Sequence, residues 1–459
     1  MQQQHDGATA ARRGWRVKSL AALAAGALVI AAAACGTSGQ STKPTRVQPA
    51  TVNDGAAVKG TLEFWDAGTA PAVATWWKRF IADFEAKYPG TKINMTTFAT
   101  EDFRTKYLAA FSAGDEPDVF ESDTGELLNR FVRVGKIADL SKLINFDRYN
   151  KASLAPVTMP DGGVYGAPDY WFVMSMWANQ ALLKSYGVEE PKTWDGLLSA
   201  CKTLSAAKVI PITLGNGGGD QWTAVQWYDA LLYQYTGDVV GVDATLGTNG
   251  ASFTDPEFVK AAARFRELID AHCFPPGFTG LNYQQMSSQF ISGKAAMNFT
   301  GSWFAGEVAA GGAKFNVDVF PLPDVPDAKH STAKLDGVMG GVSVIAASEK
   351  AATKNPALVR AFLQEFTARM DDFANAGDQL SVSATPKPTG GPLQQELTSM
   401  LKSVRELVTF TGLRTDSSMI DPWDANTQAL TQGSLSPEKF AQAMADAAKR
   451  KRPNFPKDK

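Results

Sequence analysis

From Thr61 onward the chain alternates between two hydrophobic rhythms. Thr61 to Asp66 places Leu62 and Phe64 on one face of a strand, and Lys92 to Thr97 alternates again through Ile93, Met95 and Thr97. Between them Trp77, Phe80, Ile81 and Phe84 recur at helical spacing, opened by Pro71 and stopped at Tyr88-Pro89-Gly90. Thr100 predicts the cap of a second helix with the stripe Phe103, Tyr107, Leu108 and Phe111, which ends at Gly114. Pro117 to Ser122 reads as a third strand. Asp123 or Thr124 then predicts the cap of a helix carrying Leu127, Leu128, Phe131 and Val132. Strand and helix in regular alternation predict an open α/β sheet. Such sheets take ligands beyond the carboxyl ends of their strands, which points to Trp65-Asp66, to Phe98 through Asp102, and to Glu121 through Gly125.

A second α/β region follows. Met174 to Trp177, Val209 to Leu214, Ala295 to Thr300, Val317 to Phe320 and Val342 to Ala346 read as strands. Trp194 to Leu204 (capped by Thr193), Gln221 to Tyr235, Pro256 to Ala271, Leu358 to Phe366 and Pro437 to Lys449 read as helices. The glycine-rich loop Gly215 to Gly219 lacks the Lys-Ser/Thr of a phosphate loop and the third glycine of a dinucleotide fingerprint, so it reads as a turn. No repeat at solenoid or propeller period is visible.

The amino-terminal stretch has another character. Basic residues Arg12, Arg13, Arg16 and Lys18 precede an apolar run from Ser19 to Ala34, the pattern of an export signal at residues 1–34. The run is shorter than the roughly 20 apolar residues of a spanning helix. Ala33-Ala34-Cys35-Gly36 resembles a bacterial lipobox, with Ala32 where leucine is usual, so Cys35 is the expected lipidated first residue of the mature chain. Residues 35–57 hold almost no large apolar side chains and read as a flexible linker reaching roughly 25 Å. The expected location is the extracytoplasmic face of a bacterial membrane, reached through a lipid anchor.

Composition narrows the field. A formal net charge of -2 argues against nucleic acid as a partner. The basic run Lys449 to Arg452 reads as a solvated helix end. Cys201 and Cys273, each read on a helix, are the cysteines left after Cys35, and an oxidising exterior lets them pair. Without a Cys-x-x-Cys motif or a histidine cluster, neither a metal nor a cofactor is expected. His272 and His330 stand apart from any Gly-x-Ser-x-Gly elbow, which weakens hydrolase chemistry.

Seven segments, in order, carry a family resemblance: Phe84 to Gly90; Ala113 to Val119; Gly163 to Pro168 with Asn179 and Leu182; Pro191 to Asp195; Phe290 to Met297 running on to Gly301-Ser302-Trp303; Gly340-Gly341 to Ser348; and Ala361 to Leu363. They resemble the family 1 extracellular solute-binding proteins, the maltose-type receptors of bacterial ABC importers. The resemblance covers roughly Lys59 to Lys449. It implies a two-lobed α/β fold of the periplasmic-binding-protein type, hinged around a central cleft. It also implies a carbohydrate ligand, membrane permease subunits as partners, a monomer, and no catalysis. The implied lobes are 58–170 plus 324–372, and 171–323 plus 373–452, with 453–459 a tail.

A sugar offers hydroxyls and flat C–H faces, which carboxylates and aromatic rings match. Trp65 and Asp66 end the first strand; core packing and helix capping are their competing roles. Asp123 is either a ligand contact or a cap. Asp169, Tyr170 and Trp171 sit where the resemblance places the first crossing between lobes. Trp303 resembles the tryptophan that stacks on sugar in that family, and Trp423 matches a second aromatic loosely. Trp222 follows the glycine-rich loop, and Met339 precedes Gly340-Gly341. Trp76, Trp77, Trp177 and Trp194 are read as core. Three other classes stay open: a same-fold receptor for a polyamine or quaternary amine, an exported glycoside hydrolase, and a scaffold lipoprotein that binds no small molecule.

Overall fold

The structure is a computed structural model that describes residues 55–67, 70–98, 100–237, 240–415 and 417–452. The expected signal at 1–34, Cys35 and its linker through residue 54, and the tail 453–459 lie outside the described residues. No helix among the described residues is long and apolar enough to cross a membrane.

Strands β1 (Gly60–Asp66), β2 (Thr91–Thr97) and β3 (Val119–Asp123) lie parallel in the order β2-β1-β3. The helices Pro71–Lys87 and Thr100–Ala113 make the crossovers. The first opens with proline at its start and buries Trp76, Trp77, Phe80 and Phe84. Trp77 packs on Phe64 of β1 at 4.6 Å between ring centroids and stacks on Phe366 at 5.6 Å. This is the core of the first lobe.

Two long strands join the lobes. β4 (Ala167–Asn179) pairs with β8 (Val338–Ala347) over Ala167–Val173, and over Met174–Asn179 with β6 (Ala295–Gly301) and β7 (Val317–Phe320). β8 pairs in turn with β3, and β5 (Ile210–Thr213) lies parallel to β6. The hydrogen-bonded path is therefore β2-β1-β3-β8-β4-β6-β5. Covered on both faces, β4 is apolar along most of its length, as such strands are.

A second core gathers Trp194, Trp227, Tyr228, Phe258, Phe265, Trp423 and Phe440 in the other lobe. The first core continues past β4 to Trp177, Phe290 and Phe304. Cys201, on the helix Trp194–Ala206, is disulfide-bonded to Cys273 with the Cα atoms 4.8 Å apart. Cys273 lies beyond the helix Pro256–Asp270 rather than on it.

The boundaries expected at 324 and 373 both move. Residues after Pro323 stay with the second lobe: Val325 N–H donates to Gln234 Oε1 at 2.6 Å, and Tyr235 Oη–H donates to Asp327 at 2.8 Å. The chain crosses back only along β8. Residues 373–383 stay with the first lobe, since Phe373, Leu380 and Val382 lie in its core and β9 (Leu380–Ser381) pairs with Tyr170 and Trp171. The helix Pro392–Ser403 touches both lobes: Gln394 donates to the Gln379 carbonyl at 2.8 Å, and Ser175 Oγ–H of β4 reaches Met400 Sδ at 3.8 Å. The return comes at β10 (Leu407–Val408), which pairs with Val338 and Met339. Helical spacing reports that a face is buried and carries no information about which lobe covers it.

Candidate functional site

The carboxyl ends of β1 and β3, the middle of β4 and four helix starts of the second lobe enclose a cavity of about 310 Å³. The first lobe contributes Ala67, Phe103, Arg104, Glu121, Asp123 and Leu127; β4 contributes Tyr170 and Phe172. The second lobe contributes Trp222, Gln226, Tyr283, Trp303 and Glu307, then Phe410, Leu413, Trp423 and Asp424.

One wall is aromatic. Trp222 lies 5.2 Å from Tyr283 and 6.2 Å from Trp303, Trp303 lies 5.8 Å from Phe172, and Phe172 stacks on Phe410 at 6.1 Å. Their polar edges are already engaged. Trp303 Nε1–H donates to Tyr283 Oη at 2.7 Å, whose hydroxyl donates to Glu307 Oε1 at 2.8 Å. Trp222 Nε1–H donates to Asp220 Oδ1 at 2.8 Å, and Asp220 Oδ2 accepts Tyr283 N–H at 2.8 Å. With both indoles tethered, the rings hold fixed orientations and offer faces rather than N–H donors. Gly301 sits beneath Trp303, where a Cβ would overlap the indole, so the Gly-Ser-Trp run is a steric requirement of that ring position.

The facing side is acidic. Glu121 accepts Ala67 N–H at 3.0 Å and the Ser343 hydroxyl at 3.2 Å. Asp123 lies two residues on, on the same face of β3. It is not a helix cap: the helix Glu126–Arg133 has Gly125 at its N-cap. Asp123 still opens to solvent through the cavity; crowding by the cavity walls and then the Glu121 charge push it up to about 6, against the pull of Arg104. Asp424, on the helix Ile420–Thr431, is likewise raised to about 6 by burial, again opposed by Arg104. Arg104 belongs to the first lobe and Asp424 to the second, so this attraction crosses the cleft.

Burial also raises Asp229 to about 7, beneath the cavity, where its Oδ2 accepts Thr411 N–H at 2.8 Å. An acid held above its unfolded value of 3.8 binds its proton more tightly folded than unfolded. Its contribution to stability therefore falls as pH rises toward the folded value. The ligand-free protein should melt at a higher temperature near pH 5 than near pH 7.5. A scanning-calorimetry profile that is flat or rises across that interval contradicts the assignment.

The structure brings together Asp123, Tyr170, Trp222, Trp303 and Trp423. Trp423 touches the cavity only from within the second core, against Tyr228, Phe253 and Phe440. Five candidates lie elsewhere. Trp65 packs edge-on against Phe98 at 4.8 Å, and Asp66 is buried at the end of β1, where its carbonyl accepts Phe98 N–H. Trp171 alternates with Tyr170 and Phe172 along β4 and so faces away, into the first core. Asp169 sits at a β-bulge where the alternation breaks; it is buried beside Glu121, behind the cavity wall, and accepts Ser343 Oγ–H at 3.3 Å. Met339 is buried in the second core. Arg104, Glu121, Phe172, Tyr283, Glu307 and Asp424 line the cavity without having been singled out from the sequence, although Glu121 opens the strand end that the sequence points to. Two of these had a signal: Glu121 shares a strand face with Asp123, and Phe172 shares one with Tyr170. Among the described residues, no group of three or more His, Cys, Asp or Glu is placed to hold a metal ion.

Residues 67–369 match the family model for bacterial extracellular solute-binding proteins. The chain belongs to this family. A protein from Pyrococcus horikoshii, described as an uncharacterized ABC transporter extracellular-binding protein, is 26% identical over 315 residues, 66% of this chain and 68% of its own. A protein of Mesorhizobium japonicum, named as a probable sugar-binding periplasmic protein, is 24% identical over 42% of this chain and 50% of its own. This chain spans about two thirds of the length of the first curated relatives it matches. The two-lobed fold is shared with a structure from work on xylan utilization by Caldanaerobius polysaccharolyticus, with TM-score 0.78, 24% identity, and 84% of this chain and 99% of that chain covered. A chitin oligosaccharide binding protein superposes with TM-score 0.76 at 23% identity over 86% of this chain and 99% of its own. The solute-binding proteins are, as a family, binding proteins of the cell exterior.

Proposed function

We propose that this solute-binding protein is the extracytoplasmic receptor of an ABC importer, taking a short saccharide into the cleft and delivering it to permease subunits without altering a covalent bond. The observation that carries this reading is the cavity wall of Trp222, Tyr283, Trp303 and Phe172 opposite Glu121, Asp123 and Arg104. Tethered indole faces suit the C–H planes of a pyranose, and the carboxylates and guanidinium suit its hydroxyls. A volume of about 310 Å³ lies at the small end of ligand pockets, which fits one or two sugar units better than a long chain. Relatives named for sugar and chitin oligosaccharide binding support the carbohydrate class. Ligand touching both lobes favours the closed arrangement over an open one.

The chain would act as a monomer tethered through lipidated Cys35; mass spectrometry of the mature amino terminus reads that anchor directly. Isothermal titration against mono-, di- and trisaccharides should give a dissociation constant in the micromolar range or tighter for a mono- or disaccharide, on the order of -8 kcal/mol. Silence across the panel, or release of reducing sugar from a substrate, sinks the reading. A second reading rests on charge: Glu121, Asp123, Glu307 and Asp424 outnumber Arg104 in the cavity, and aromatic rings attract cations. Polyamines and quaternary amines in the same titration decide between the two.

A further inference from the structure

Two seams where the lobes meet beside the cavity are each built on a glycine set against a carbonyl of the other lobe. Gly306 lies in the helix Phe304–Gly311 of the second lobe, one residue before the cavity-lining Glu307. It faces Gly377, which ends the helix Met370–Ala376 of the first lobe, two residues before the cavity-lining Gln379. A Cβ on Gly306 would overlap the Gly377 carbonyl oxygen and lie 3.2 Å from its carbon. The obstacle is main chain, so a side-chain rotation cannot relieve it. Gly125 of the first lobe, N-cap of Glu126–Arg133, stands in the same relation to the Leu413 carbonyl oxygen, and its φ of 95° excludes other residues in any case.

We propose that these two glycines set how far the lobes close on their ligand: the bare Cα at each seam permits an approach that one methyl group would stop. This rests on the reading of a hinged receptor given above and adds the positions that limit its travel. Uniform packing does not explain the choice of glycine at Gly306. Its φ is helical, and alanine is the better helix former there, so the fold alone would favour alanine. What glycine provides is the contact across the cleft.

Gly306→Ala separates the two roles. The ligand-free variant should melt at or above the wild-type temperature, because its helix gains and the open arrangement has no clash. Its affinity for the saccharide found by titration should fall by at least about tenfold, since a closed state raised by 1.4 kcal/mol costs that factor. Spin labels at Lys142→Cys in the first lobe and Lys439→Cys in the second, both exposed, should report a closed separation that wild type reaches and the variant does not. A lowered melting temperature without ligand would mean that the seam is permanent packing, which overturns the proposal. So would unchanged affinity, or identical label distances in the two proteins. If no saccharide binds wild type, the receptor reading fails by itself. The label distances, collected without ligand, then decide the seam: a closed population present in wild type and lost in Gly306→Ala supports it, and superimposable distributions refute it.

Discussion

Trp303→Ala should weaken saccharide binding by roughly 30- to 150-fold, about 2–3 kcal/mol. The half-buried indole offers one face to the cavity, and removing about 100 Å² of apolar contact at ~25 cal/mol per Å² gives most of that figure. The remainder comes from the wall. Without the indole N–H, the Tyr283 hydroxyl loses its donor while keeping its bond to Glu307, and Phe172 and Trp222 each lose the ring between them. Trp303→Phe keeps a ring over Gly301 and loses the donor, so it should fall between wild type and alanine. Because Trp303 stands at the cavity rim of both cores rather than inside either, the variant should retain the wild-type far-ultraviolet circular dichroism and a cooperative melt. Calorimetry that returns the wild-type dissociation constant for Trp303→Ala removes the ring from the site and with it the central support of the saccharide reading.

Removing the Cys201–Cys273 disulfide should cost about 4 kcal/mol of stability, the chain-entropy value for a loop closed across 72 residues. The bond ties the helix Trp194–Ala206 to the turn after Pro256–Asp270, and the Cys273 carbonyl accepts Ile212 N–H of β5 at 2.8 Å. It thus fastens the outer layer of the second lobe to its sheet, away from the cavity. The double variant Cys201→Ser, Cys273→Ser should therefore unfold at markedly lower urea concentration yet bind saccharide with the wild-type affinity. A stability loss below about 1 kcal/mol would show that the loop is already restrained in the unfolded chain, against the entropic account. A large affinity loss would show that the bond supports the cavity after all.

The site is partly legible in the residues themselves. Alternation along β3 and β4 is a local pattern, and it pairs Asp123 with Glu121 and Tyr170 with Phe172. Trp171 stands out by residue type, yet the same alternation sends it to the opposite face. Asp169 falls at a β-bulge, where the pattern fails, and is buried beside Glu121, held well above the usual carboxylate range by desolvation and then by that neighbour. Trp65 and Asp66 mark the right strand end, but the cavity-lining position there is Ala67, whose N–H donates to Glu121. Tyr283 and Glu307 carry no sequence signal. Each stands at the start of an ordinary amphipathic helix, and their meeting with Trp303 depends on how two helices of the second lobe lie together.

By itself, the sequence determined most of the strands and helices that build the two lobes, the core role of Trp76, Trp77, Trp177 and Trp194, and the family, because strand alternation, helix spacing and capping act over a few residues. Trp76, Trp77, Trp177 and Trp194 are all buried as their spacing required. Only the tertiary structure decided where the chain changes lobes, which strand-end residues converge, and that Cys201 meets Cys273. The first two come from β4 and β8 pairing with partners far along the chain, such as Phe172 with Gly341, and the last from two helices of the second lobe packing beside β5. Residues so far apart along the chain share no local pattern, and what they hold between them exists only once the two strands lie side by side.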